Sequence, residues 1–283
     1  MQTGSCIGVD DVRPLERREF EQIRRLAYDT FGLDLKEGKQ ELVSARLRRL
    51  VRARGFHSYD EYYRYVRADR TQTALAAMID ALVTNHTSFL REAEHFLYLK
   101  ETVAPRLARR ARIDVWSAAC STGEEVWSLL FLLDEVLPGR NVRVTGTDIS
   151  NRALAQARLA QYPAERITGL PPEWPRRYME RCGGERQGWL QVAARYRARA
   201  EFRRVNLMEP FAWPRPFPLV FCRNVMIYFD KATQEKVVGK LTTALEPGGL
   251  LFVGHAESLS GVRHSLEYLR PAVYRRPAEG NAE

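Results

Sequence analysis

Asp114 to Glu125 reads DVWSAACSTGEE. It begins inside a short apolar run, Ile113-Asp114-Val115-Trp116, that predicts a buried strand. The run gives way to small residues, Ser117-Ala118-Ala119-Cys120-Ser121-Thr122-Gly123, and Glu124 and Glu125 then open an apolar helix through Leu129, Leu130, Leu132 and Leu133. Strand, small-residue turn and helix make the first unit of a nucleotide-binding α/β sheet. Small side chains let a ligand approach the backbone, and acids suit the first turn of a helix. A lone glycine, in place of the three of a dinucleotide fingerprint, argues against NAD.

Working outward, a second strand over Asn141–Thr147 ends in Asp148-Ile149-Ser150, and Ser150 can cap a helix carrying Ala153, Leu154, Ala157 and Leu159. From Tyr162 to Asn206 the rhythm changes. Pro163, Pro171, Pro172 and Pro175 interrupt it, and Gly183-Gly184 and Gly188 mark turns. Trp189–Val192, Tyr196-Arg197 and Phe202–Val205 read as short strands of a small antiparallel insertion, about residues 163–205. Phe217–Cys222 is the next buried strand, Lys231–Leu245 a helix, Leu250–Gly254 a strand, and Tyr268–Arg275 a closing hairpin. On the N-terminal side a long helix is expected over Glu92–Arg110, after a polar connection, NHTSFLR, at Asn85–Arg91.

Further back the periodicity is helical. Phe20, Ile23, Leu26 and Ala27 share a face that stops at Gly32. A second helix, about Lys39–Arg54, has a stripe of Leu42, Val43, Leu47, Leu50 and Val51. Ser58 and Glu61 suggest a capping box for a third helix with Tyr59, Tyr62, Tyr63 and Val66. A fourth, about Thr73–Val83, carries Leu75, Met78, Ile79 and Leu82. The expected organisation is a flexible lead-in at 1–15, an all-α domain at 16–84, an interdomain segment and helix at 85–110, an α/β domain at 111–276, and a flexible tail at 277–283.

The chain has 283 residues and a net charge of +9. Such a charge admits nucleic acid, an anionic surface or an acidic protein partner. Much of it gathers on the second helix, where Arg46, Arg48, Arg49, Arg52 and Arg54 have little acid beside them. No run approaches the ~18 apolar residues of a membrane helix. Met1–Pro14 has no signal-like apolar core. Four scattered cysteines without CxxC spacing read as reduced thiols in a cytoplasmic protein and supply no metal site; none is expected.

Polar groups cluster just past strand ends: Glu124, Asp148, and Arg223-Asn224. Open α/β sheets bind ligands there. An acid ending the second strand is placed to accept ribose hydroxyls, and no lysine-bearing phosphate loop is present to hold ATP. An adenosine ligand without a phosphate cradle points to S-adenosylmethionine.

TNHTSFLRE at Thr84–Glu92, WSAACSTGEE at Trp116–Glu125, TDIS at Thr147–Ser150, FCRNVMIYFD at Phe221–Asp230 and PGGLLFVGHAESL at Pro247–Leu259 together make the chain resemble the chemotaxis receptor glutamate O-methyltransferases, the CheR family. The likeness runs from about residue 16 to 276. One departure is Val126-Trp127, where the family more often has Pro-Tyr; it is expected to alter packing and not chemistry. The resemblance implies a class I, Rossmann-like AdoMet-dependent methyltransferase domain with a small antiparallel β insertion, preceded by the all-α domain. It implies that Asn85, Thr87, Arg91, Glu124, Asp148, Asn206, Leu207, Arg223 and Asn224 bind S-adenosylmethionine, with Asp148 on the ribose and Asn206-Leu207 beside the adenine. Arg91 and Tyr228 would serve the transfer itself. Glutamate has an unperturbed pKa of ~4.3, so the acceptor is ionised at neutral pH and needs alignment, not a base.

The activity implied is methylation of glutamates on the cytoplasmic helical bundle of chemoreceptors, by a monomer without membrane insertion. The arginine-rich helix would dock the receptor, and the β insertion is a place for a receptor tail peptide. Two rivals remain at this stage: a basic class I methyltransferase of nucleic acid, and a non-catalytic regulator that binds AdoMet or receptor. Nucleic acid is not the expected partner, since neither an NPPY-like motif nor an aromatic-interleaved basic groove is visible.

Overall fold

The computed structural model describes residues 12–83 and 86–278. The chain divides into two compact units, 1–84 and 85–283.

The first unit is helical: α1 (Arg17–Phe31), α2 (Gln40–Ala53), α3 (Tyr59–Ala68) and α4 (Thr73–Leu82). Phe20, Ile23, Leu26 and Ala27 are buried on α1, which ends where Gly32 turns left-handed at φ 70°. Glu19 is buried because it has work at both ends. Its Oε2 accepts from Glu16 N at 2.9 Å to close the α1 cap, and its Oε1 accepts from Asp60 N at 2.9 Å at the start of α3. Ser58 caps α3 by accepting from Glu61 N, but the Glu61 carboxylate accepts from His57 N and not from Ser58, so the expected box is half formed. On α2 only Val43, Leu47 and Val51 are buried; Leu42, placed in the stripe from the sequence, is exposed, because positions four apart hold one face better than the wider stripe.

The second unit carries a helical run of α5 (Ala93–Tyr98), a wider i→i+5 turn at Leu99–Val103, and α6 (Ala104–Leu107). The long helix expected over Glu92–Arg110 is therefore shorter and interrupted. His95, Leu99, Val103 and Leu107 are all buried at a constant spacing of four. An ideal α-helix drifts about 40° over each such step, and the wider turn takes up part of that drift.

The strands are β1 (Arg112–Ser117), β2 (Asn141–Asp148), β3 (Gln161–Pro163), β4 (Met179–Arg181), β5 (Trp189–Val192), β6 (Ala200–Arg204), β7 (Phe217–Cys222), β8 (Leu245–Val253), β9 (Glu267–Arg270) and β10 (Val273–Arg275). The large sheet runs β6-β2-β1-β7-β8-β10-β9. Its first five strands are parallel, and β10 pairs antiparallel with both β8 and β9. Strand order reverses between β1 and β7. Every residue of β7 is buried, as a central parallel strand covered on both faces requires. Helix α7 (Glu124–Val136) packs with Val115 and Val144 on one face, while α11 (Lys231–Ala244) packs with Trp116, Val220 and Leu251 on the other. Helix α8 (Asn151–Leu159) connects β2 to the insertion, with Ser150 Oγ accepting from Ala153 N at 3.0 Å.

The insertion is a three-stranded antiparallel sheet, but not from the segments named above. Its strands are β3, β5 and β4 in that order. Short helices α9 (Trp174–Tyr178) and α10 (Ala194–Arg197) follow β3 and β5, so Tyr196-Arg197 are helical. Phe202 lies on β6 and pairs in parallel with Gly146 of the main sheet. Gly146 is required there, since a Cβ would meet Val126 Cγ2 at 2.8 Å and the Phe202 ring at 2.9 Å.

Candidate active site

The loops after β1, β2, β6 and β7 meet at the carboxyl end of the sheet, at its switch point. The loop after β1 is stapled to β2 by Cys120 N, which donates to Thr147 O at 2.9 Å, and by Ser121 N, which donates to Asp148 Oδ2 at 2.8 Å. Asp148 Oδ1 accepts from Ser150 N at 2.9 Å. The carboxylate is thus aimed by two backbone amides, one on each oxygen. Gly123 closes the loop at φ 97°, where a Cβ would sit 2.9 Å from Ala157 Cβ. From the insertion, Tyr162 donates to Thr122 O at 2.7 Å and accepts from Trp127 Nε1 at 2.9 Å.

Two acids follow that loop, with different surroundings. Glu124 is fully buried; its Oε2 accepts from Thr122 Oγ1 at 2.7 Å. The Arg166 guanidinium lies within ion-pair reach of Oε1 without hydrogen-bond geometry, so that oxygen is buried and accepts no hydrogen bond. Burial pushes the Glu124 carboxyl above its ordinary value, against the Thr122 bond and the Arg166 charge. Glu125 accepts from Ser117 Oγ at 2.7 Å and from Arg223 Nη1 at 2.8 Å.

Arg223 is 5% exposed, and its other arm, Nη2, donates to Glu92 Oε2 at 2.8 Å and to Arg91 O. Glu92 also accepts from Asn224 Nδ2 at 3.0 Å and His255 N at 3.1 Å. Burial alone would raise the Glu92 carboxyl, but the Asn224 and Arg223 bonds and the Arg223 charge outweigh it and hold it at about 2. Beside it, burial and the charges of Arg223 and His255 depress the His95 imidazole to about 3. Glu92, His95 and His255 present ligand atoms within 4.8 Å of one another. Yet the Glu92 oxygens are already accepting hydrogen bonds, and the charges of Arg223 and Arg270 bear on His95 unfavourably for any cation.

Arg91 is the contrasting cation. It donates to His86 O at 2.7 Å and has no ion pair among the described residues. Thr87 accepts at its carbonyl from Arg166 Nη2 at 3.2 Å. Asn206 is buried in its own turn, its Oδ1 accepting from Met208 N at 3.0 Å and its Nδ2 donating to Glu209 at 3.0 Å, with Leu207 buried beside it. Tyr228 is half-buried in the turn after β7, and its hydroxyl has no hydrogen-bond partner among the described residues. Asn85 lies outside the described residues.

Sequence reasoning missed Glu92, Glu125, Arg166 and Glu257 as site residues. The first two stand directly beside assigned positions, and only their partners reveal their roles. Glu257 follows the end of β8 as Asp148 ends β2, a signal available in principle.

A carboxylate aimed from the end of β2, a buried Glu124 oxygen without a donor, and a loop that tolerates close approach fit an adenosine ligand bearing hydroxyl and ammonium donors, at the switch point of a largely parallel sheet. The fold and site define an S-adenosylmethionine-dependent methyltransferase of the α/β class. The family model "CheR methyltransferase, SAM binding domain" matches residues 85–274, and "CheR methyltransferase, all-alpha domain" matches 18–83. The chain belongs to the CheR methyltransferase family. It is 39% identical over 91% of its length to the chemotaxis protein methyltransferase of Klebsiella aerogenes, covering 88% of that protein. It is 33% identical over 93% of its length to the Borreliella burgdorferi protein of the same name, covering 95% of it, and 34% over 96% to the Escherichia coli one, covering 96%.

Proposed function

We propose that the protein transfers the methyl group of S-adenosylmethionine to glutamate side chains on the cytoplasmic helices of chemoreceptors, leaving glutamyl methyl esters. The observation that carries this reading is the inequality of the two arginines. Arg223 is spent between two carboxylates, while Arg91 keeps its charge for an incoming anion. An acceptor that arrives ionised needs such a cation and no base. His95, held at about 3, is too weak to serve as one.

When bound, S-adenosylmethionine supplies an electrophilic methyl on its sulfonium. Asp148 and Glu124 hold the cofactor, with Asn85, Thr87, Asn206, Leu207 and Asn224 around it, and Arg223 sets the loops that carry them. Arg91 steers the acceptor carboxylate by a charge-assisted contact, and the Tyr228 hydroxyl orients it. The reading places the protein in the cytoplasm as a monomer. It takes the receptor bundle as the partner of Arg48, Arg49 and Arg52, and the insertion sheet as a place for a receptor tail. No observation favours nucleic acid or a non-catalytic role.

Incubation with labelled S-adenosylmethionine and receptor-bearing membranes tests it. The label is expected to leave the receptor as methanol in mild alkali; label that stays on the acceptor sinks the glutamate assignment. Arg91→Ala and Tyr228→Phe are expected to lower turnover about tenfold or more, with smaller effects on S-adenosylhomocysteine affinity. Full activity of Tyr228→Phe removes that residue from the chemistry.

A further inference from the structure

The ends of β7 and β8 are paired neighbours, Cys222 opposite Val253. The turn leaving β7 carries Arg223, Asn224 and Tyr228 and has no strand to satisfy its amides. Asn224 sits at φ 57°, a left-handed conformation that asparagine tolerates better than most residues but that still has to be held in one place. Glu257, from the loop after β8, holds it. Its Oε2 accepts from Asn224 N at 2.7 Å and Gly254 N at 2.6 Å, and its Oε1 accepts from Ile227 N at 3.2 Å. From the other side, Gln234 Nε2 donates to Met226 O at 2.8 Å and Phe229 O at 3.1 Å. The turn is therefore held by its amides through Glu257 and by its carbonyls through Gln234. Gly254 lets the carboxylate in: a Cβ there would lie 2.6 Å from Asn224 Nδ2 and 2.7 Å from Glu257 Oε2. Glu257 is 6% exposed, and burying an acid without a cation is costly unless its bonds do something in return.

We propose that Glu257 is a positioning residue for methyl transfer, whose carboxylate sets the Asn224–Tyr228 turn and so the placement of the Tyr228 hydroxyl. This rests on the reading of the site as a protein-carboxylate methyltransferase.

Glu257→Gln keeps size and shape but turns one acceptor oxygen into a donor that faces a backbone amide. In the full-length protein, kcat for receptor methylation is expected to fall about tenfold or more. Receptor KM is expected to stay within about threefold, and S-adenosylhomocysteine Kd, by calorimetry, to weaken by clearly less than kcat falls, since Asn224 borders the cofactor. Gly254→Ala presses on the same turn from the strand side and is expected to show the same split. If the Gln variant melts below the assay temperature, the Ala variant decides alone. Unchanged kcat overturns the inference, as does a loss of cofactor-product affinity as large as the loss of kcat. A wild-type protein that places no alkali-labile methyl on receptor overturns the underlying reading instead.

Discussion

The two units use arginine in opposite ways. On α2 of the helical unit, Arg48, Arg49 and Arg52 are exposed and form no ion pair among the described residues. Arg46 of the same helix and Arg54 just past its end are engaged locally, Arg46 with Leu82 O and Arg54 with the Tyr65 hydroxyl at 3.0 Å. In the α/β unit, Arg223 is buried and shared between Glu125 and Glu92. A solvated charge contributes little to stability and acts at a distance through encounter. A buried pair fixes geometry, and removing one member strands the other. The same residue type is therefore solvated in one unit and structural in the other, and the solvated set is the one proposed to meet the receptor.

Arg223→Ala attacks the architectural use and carries the largest expected effect. It leaves Glu92 and Glu125 without their cation, so thermal or denaturant unfolding is expected to show a loss of about 3–5 kcal/mol. An unfolding midpoint unchanged from wild type removes the contrast. Acid probes the same cluster. His95 has a folded-state pKa of about 3 against an unfolded value of ~6.5, so its neutral form favours folding fully above pH ~6.5. That contribution is lost as pH falls toward 3, and Glu92, held at about 2, adds a loss that starts below ~4.5. Melting temperature is expected to fall from pH 7 to pH 5, and less steeply in His95→Phe; equal slopes contradict the assignment.

Asp148→Ala is expected to weaken S-adenosylhomocysteine binding by ten- to a hundredfold, measured calorimetrically, because two amides and a ligand hydroxyl lose their acceptor. The smallest effect on the fold, and the one that sharpens the comparison, comes from Arg49→Glu with Arg52→Glu. Stability is expected to stay within about 0.5 kcal/mol. Receptor methylation at low salt is expected to fall about tenfold, with the deficit shrinking as salt shortens the screening length below ~8 Å. Duplex DNA added as competitor is expected to leave the wild-type rate unchanged. Salt-independent methylation breaks the proposed docking role of α2.

Much of this was legible from local pattern. Val43, Leu47 and Val51 at spacing four, the six buried residues of Phe217–Cys222, and the Ser150 cap are one-dimensional signals, and the structure has each where the pattern places it. Strand pairing is not local. Phe202–Val205 reads as insertion because Pro and Gly surround it, yet Ala200–Arg204 pairs with β2, more than fifty residues earlier in the chain. The π turn was invisible because its residues are ordinary helix formers. In the site, strand-end acids such as Asp148 stand out by position. The shared hold of Glu92 and Glu125 on Arg223 joins residues 131 and 98 positions apart, which no spacing rule anticipates.

The Trp127–Tyr162–Thr122 chain has an optical consequence. Trp127 is one of five tryptophans, and its indole is a single hydroxyl removed from the carbonyl of the cofactor loop. Trp116, 2.9 Å from Thr147 Oγ1, flanks the same loop from β1. Any ligand that shifts Thr122 or Thr147 changes the electric field at two buried indoles. The chain therefore carries, beside that loop, built-in fluorophores whose emission is expected to report ligand binding without a label.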